Sequence, residues 1–155
     1  MTRWLLLPAA LLIASAAFGD NELDRRFSKD VLIVTANTGC HRFDVYLALD
    51  DVQRGRGLMF VRELPATTGM LFVYGTSRTL SMWMKNTFIP LDMVFARPDG
   101  TVINVITNTE PQSLKSLQST EPGAFVLELV AGTAERLAID EDSRIYWEPA
   151  HSGID

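Results

Sequence analysis

Residues 42–49 alternate with a period of two. Phe43, Val45, Leu47 and Leu49 fall on one face of an extended chain, and Arg42, Asp44 and Tyr46 on the other. A helix cannot bury such a pattern on one side. The same alternation, or a continuous run of apolar and β-branched residues, recurs at 31–36, 70–74, 79–84, 91–96, 101–107, 124–130 and 144–147. Pro98-Asp99-Gly100 separates two of these runs and marks a hairpin, because proline presets one backbone angle and glycine accepts positive φ. Helical signals are confined to 50–56 and 133–138, with Thr133 placed to cap the second. Short strands with turns between them predict a mainly β single domain, an antiparallel β-sandwich or barrel-like fold with one or two short helices.

The N-terminus carries a different signal. Arg3 is followed by an apolar run from Trp4 to Ile13, broken only by Pro8, and then by small residues from Ala14 to Ala17. This is the layout of a secretory signal, and the run is shorter than the roughly 20 residues that span a bilayer. Ala14-Ser15-Ala16 and Ala17-Phe18-Gly19 both offer small residues at the last and third-last positions before a cut. The expected organisation is a signal peptide over 1–16 (cut as late as 19), a polar tether over 17–29, a β domain over 30–148 and a polar tail over 149–155. Such a protein is periplasmic or secreted, with no membrane span after processing. The only cysteine, Cys40, lies far from the cut, so it is no lipid-attachment site and forms no internal disulfide. The chain carries net charge −5, and removal of Arg3 makes it more acidic, which argues against nucleic acid as a partner.

An ordered series of short motifs runs through the domain: Gly57-Leu58-Met59, Arg62, Leu64, Gly69-Met70-Leu71-Phe72, Trp83-Met84-Lys85-Asn86-Thr87, Ile89-Pro90-Leu91-Asp92, Phe95, Gly100, Leu127-Glu128-Leu129 and Ala131-Gly132. The series resembles the DUF192 family (UPF0127) of small, often exported prokaryotic proteins, over about residues 31–146. The resemblance implies a mostly β, sandwich-like fold and assigns no activity. Tyr46 stands where the family pattern usually carries glutamate, and Glu141 where it usually has glycine before Asp142.

Several residues could carry chemistry. On a regular strand over 79–85, Leu80, Met82 and Met84 share one face, and Ser81, Trp83 and Lys85 the other, with Asn86 and Thr87 at its end. A flat aromatic wall beside lysine and amide donors suits a polar small molecule or a glycan. Glu128, between Leu127 and Leu129, and Asp92, between Leu91 and Met93, are expected to be buried carboxyls, with Lys85 and arginines such as Arg54, Arg56 and Arg62 as counter-ions. The expected ligand-binding set is therefore Trp83, Lys85, Asn86, Thr87, Asp92, Glu128 and Arg56, with Lys85, Asp92 and Glu128 joined in one charge network. Two alternatives stand beside it. Asp92 and Glu128 could act as the acid and partner of a small hydrolase of an envelope polymer, and Met82 with Met84 could hold Cu(I). Core packing is the simpler reading of those methionines. No catalytic dyad, phosphate loop, dinucleotide fingerprint or Cys-x-x-Cys pair is present, so neither a cofactor nor a dedicated metal site is expected.

Export has a direct consequence. Mass spectrometry of the periplasmic or secreted protein should find a new N-terminus between Ala17 and Asp20; intact chain in the membrane fraction would contradict it.

Overall fold

The computed structural model describes residues 22–149. The expected signal peptide, residues 17–21 and residues 150–155 lie outside them. Along the described chain the elements run α1 (Glu22–Arg26), β1 (Ser28–Ala36), β2 (Gly39–Ala48), α2 (Asp51–Arg56), β3 (Thr68–Arg78), β4 (Ser81–Met82), β5 (Leu91–Ala96), β6 (Val102–Ile106), β7 (Leu117–Gln118), β8 (Gly123–Val130), α3 (Thr133–Leu137) and β9 (Arg144–Tyr146). Seven strands form one sheet in the order β6-β5-β8-β3-β2-β1-β9, and β4 pairs with β7 outside it. The fold is mainly β, as the periodicity predicts. One pair departs from a purely antiparallel arrangement: β2 and β3 run parallel, because the α2 segment carries the chain back before β3 begins.

The sheet curls until its outer strands meet. Thr101, just before β6, bridges Arg144 of β9. The Val102 N–H donates to the Ser143 carbonyl at 3.1 Å, and the Ile145 N–H to the Gly100 carbonyl at 2.8 Å. Joining the edges covers backbone groups that an open sheet would leave free. Gly100 makes this possible. Its φ is +86°, and a Cβ there would lie 2.0 Å from the Ile145 carbonyl oxygen.

Alternation along the strands builds two cores. All seven strands of the main sheet contribute to one, through residues such as Leu32, Val45, Leu71, Val94, Val102, Leu127 and Ile145, and Ala134 and Ile139 join it. The opposite face carries Tyr46, Met70, Phe72, Met93, Phe95 and Val126. It is covered by Leu23, Phe27, Leu58, Leu80, Met82 and Met84. This second core corrects one expectation. Residues 22–29 are part of the fold rather than a tether, since Leu23 and Phe27 are buried in it. Tyr46 lies on the face opposite Phe43 and Val45, as the alternation places it, and the second core buries it there; its hydroxyl donates to Asp24 at 2.8 Å, whereas Leu49 at the end of the alternating run is exposed.

Gly100→Ala should destabilise the protein by ~2 kcal/mol or more, since the new methyl meets backbone rather than a flexible side chain and the positive φ adds strain. Urea denaturation measures this, and an unchanged midpoint would show that the seam yields easily.

Candidate functional site

Glu128 lies on β8 with its backbone paired on both sides, opposite Met70 of β3 and Met93 of β5. Both methionines are fully buried, and Glu128 itself is 4% exposed. Its position on the Val126 face is the one the alternation predicts, but its surroundings supply no counter-ion. Oε2 is buried without a hydrogen-bond partner. Desolvation pushes the carboxyl up to about 8, so near neutral pH it is mostly the uncharged acid, able to donate one hydrogen bond and accept others. Leaving such a group unmatched costs about 1–3 kcal/mol.

Glu128 reaches the lining of a cleft of about 270 Å³. One wall comes from α2. Asp50 caps this helix by accepting from the Gln53 N–H at 2.8 Å, and Gly57 ends it with φ +46°, where a Cβ would lie 3.1 Å from the Phe72 ring. The turn drops Leu58 into the core and leaves Arg54 and Arg56 facing the cleft. Arg54 is tightly held: it donates to the Leu49 and Val73 carbonyls at 2.6 and 2.7 Å and pairs with Asp51 at 2.6 Å. Arg56 donates to the Met59 carbonyl and pairs with Glu22 at 2.9 Å. From β3 comes Tyr74, whose ring lies beneath Arg54 and Arg78, at 5.1 and 4.9 Å from their guanidinium carbons. Burial pushes its hydroxyl above the ordinary tyrosine value, against the opposing pull of the two arginines.

The remaining wall follows β4. Leu80, Met82 and Met84 turn inward while Ser81, Trp83 and Lys85 turn out, as the period-two reading predicts. Trp83 is 48% exposed, and the Lys85 ammonium sits 5.1 Å from its ring centre. Beyond these aromatic contacts, neither Lys85 nor Arg78 has an ion pair among the described residues.

Trp83, Lys85, Thr87, Glu128 and Arg56 thus share one cleft. Asn86 and Asp92 do not line it. Asn86 forms a turn with φ +57°, its carbonyl accepting from the Phe60 N–H at 2.8 Å. Asp92 pairs in register with Leu129, not Glu128, and so lies on the other face of the sheet. It is fully buried and accepts from the Asn108 N–H at 2.9 Å and the Ala134 N–H at 2.8 Å. Asp92 therefore caps α3 in place of Thr133, for Gly132 at the cap position has no side chain to offer.

These placements correct two expectations and bear out a third, the core packing of the methionines. No ion pair among the described residues includes Lys85, Asp92 or Glu128, so the proposed charge network is absent. Asp92 and Glu128 face opposite sides of a sheet and cannot flank one glycosidic bond. Met82 and Met84 belong to the core: the Tyr74 hydroxyl donates to Met82 Sδ at 3.6 Å, and the Thr109 hydroxyl lies 3.2 Å from Met84 Sδ. Sequence reasoning missed Tyr74 and Arg78. Continuing the Met70, Phe72 alternation would have put Tyr74 on the Glu128 face, but Arg78 follows a register shift in β3 that no periodicity reveals.

The two buried acids should respond oppositely to mutation. Asp92→Ala leaves two backbone N–H groups unmatched, at ~1–3 kcal/mol each. For Glu128 the folded protein binds the proton more tightly than the unfolded chain, whose value is near 4.5. Its contribution is complete below about 4.5 and is lost as pH rises toward about 8, at ~1.4 kcal/mol per pH unit. Glu128→Gln should remove that decline and be the more stable form on the alkaline side. Urea melts of both proteins across this range provide the check, and parallel pH profiles would show that Glu128 is ionised when folded.

Comparison with known proteins agrees with the architecture. The sequence model of the DUF192 family, described as "Uncharacterized ACR", matches residues 32–147. A crystal structure from Sinorhizobium meliloti 1021, titled a putative transcription regulator, is 41% identical with a TM-score of 0.75, covering 77% of this chain and 94% of that one. A protein of unknown function from Novosphingobium aromaticivorans DSM 12444 is 34% identical with a TM-score of 0.75, covering 77% of this chain and 85% of its own. No curated protein matches. With the family model matched across most of its length, the chain belongs to the DUF192 family.

Proposed function

We propose that the protein is a non-catalytic, exported module of the cell envelope that holds a polar small molecule or a glycan in the cleft over Glu128. The observation that carries this reading is the unmatched Glu128 carboxyl itself. An acid kept only for architecture is surrounded by donors, as Asp92 is. Glu128 has none, yet it reaches a cleft whose mouth carries a half-exposed tryptophan and two cations without acidic partners. A bound ligand would supply the missing hydrogen bonds, and the indole offers a flat apolar surface for a sugar ring. Export is supported by Arg3, the apolar run and the alanine-rich end of the leader. The acidic chain lacks the basic footprint of a nucleic-acid reader, which sets this reading apart from transcriptional regulation.

A thermal-shift screen of glycans, peptidoglycan fragments and sugar derivatives tests the reading, because a ligand at 100 times its Kd stabilises the native state by ~2.7 kcal/mol. Lys85→Met, at an exposed position, should leave the unliganded melting temperature unchanged and abolish the shift. A shift that survives this change would move the ligand away from the cleft.

A further inference from the structure

We propose that the ligand of this cleft carries an oxyanion, as a sugar acid or sugar phosphate does, accepting a hydrogen bond from the Glu128 carboxyl and pairing with Lys85 and Arg78. This deepens the reading of the cleft as a ligand site and depends on it. The charges around the cleft fall into two groups. Arg54 and Arg56 are matched by Asp51 and Glu22 and tied to backbone carbonyls. Lys85 and Arg78 have only the rings of Trp83 and Tyr74 beneath them. The mouth therefore has two positive charges without an acidic partner, which repel a cationic ligand and favour an anion.

The buried end of the site fits the same chemistry. An ionised carboxylate there would repel an anion, whereas a neutral acid donates to it. Burial between Met70 and Met93 keeps Glu128 neutral up to about 8. The groups facing the cleft from neighbouring elements are Asp51, Arg54 and Arg56 of α2, Tyr74 and Arg78 of β3, and Lys85 after β4; β5 presents only the uncharged Met93 opposite Glu128. Tyr74 is pushed further from neutrality by burial. Glu128 thus sets the alkaline limit of binding. An anion holding its proton in place makes the carboxyl harder to ionise, so binding near that limit takes up a proton.

Isothermal titration of the exported protein with galacturonate, glucose 6-phosphate, galactose and glucosamine tests this, run in two buffers of different ionisation enthalpy at neutral pH and on either side of pH 8. Galacturonate, glucose 6-phosphate or both should bind with proton uptake near pH 8, and affinity should fall about tenfold per pH unit above it. Which of the two binds decides between carboxylate and phosphate. Glu128→Gln, which keeps a donor without a titrating proton, should bind at neutral pH and flatten the decline. Lys85→Met with Arg78→Met should weaken the anion while leaving the melting temperature unchanged. Galactose or glucosamine binding as tightly as the anions would overturn this inference and leave the ligand site standing. Anion binding with the same pH profile in Glu128→Gln would also overturn it. Binding of none of the four, with no ligand found in the wider thermal-shift screen, would remove both readings together.

Discussion

The strand β8 is hydrogen-bonded along its length to β5 on one side and β3 on the other, and this double pairing decides where the buried acids of the centre point. Because side chains alternate across a strand, the facing of Met93 with Glu128 forces Asp92 beside Leu129. A slip of one residue would exchange the faces, placing Asp92 above the cleft and Met93 near α3. Large apolar residues on both faces hold the register: Leu127 and Leu129 fill one core, and Val126, Met70 and Met93 the other. Such a slip would bring polar and charged positions into one of those cores.

Once the faces are set, the two acids meet opposite environments. Asp92 lies where α3 begins, and its two oxygens accept one backbone N–H from that helix, Ala134, and one from Asn108 after β6. Glu128 lies between two thioether side chains, with no backbone group to spare, since sheet pairing uses those nearby. Its escape from an untenable charge is the proton. One acid completes the architecture, and the other is left incomplete in the lining of the cleft. Incompleteness at that position is the chemical content of the site.

The walls of the cleft are themselves consequences of packing on the outer face of the sheet. Leu58 and the row Leu80, Met82, Met84 cover the second core. In doing so they bring α2 and the Trp83–Lys85 segment to opposite sides of Glu128. Arg54 is fixed by three partners and stiffens one wall, while Lys85 and Arg78 rest on aromatic faces with their remaining hydrogen bonds free for solvent or ligand.

Period-two alternation determined the mainly β class, most of the strands, the inward turn of Leu80, Met82 and Met84, and the outward turn of Trp83 and Lys85, because it is a local property of an extended chain. The helices at α2 and α3 were legible as short local signals, though the cap of α3 was not, and the burial of Glu128 and Asp92 was legible from their apolar neighbours. Three things waited for the tertiary structure. Register put the two acids on opposite faces, and no single strand contains that information. The burial of Leu23, Phe27 and Tyr46 depended on there being a second core outside the curled sheet. The convergence of Tyr74, Arg78 and Arg54 with the expected Trp83, Lys85, Thr87, Arg56 and Glu128 depended on a parallel crossover and a break in β3. Sequence fixes the side of its own strand on which a residue points; only the pairing of strands decides what it meets there.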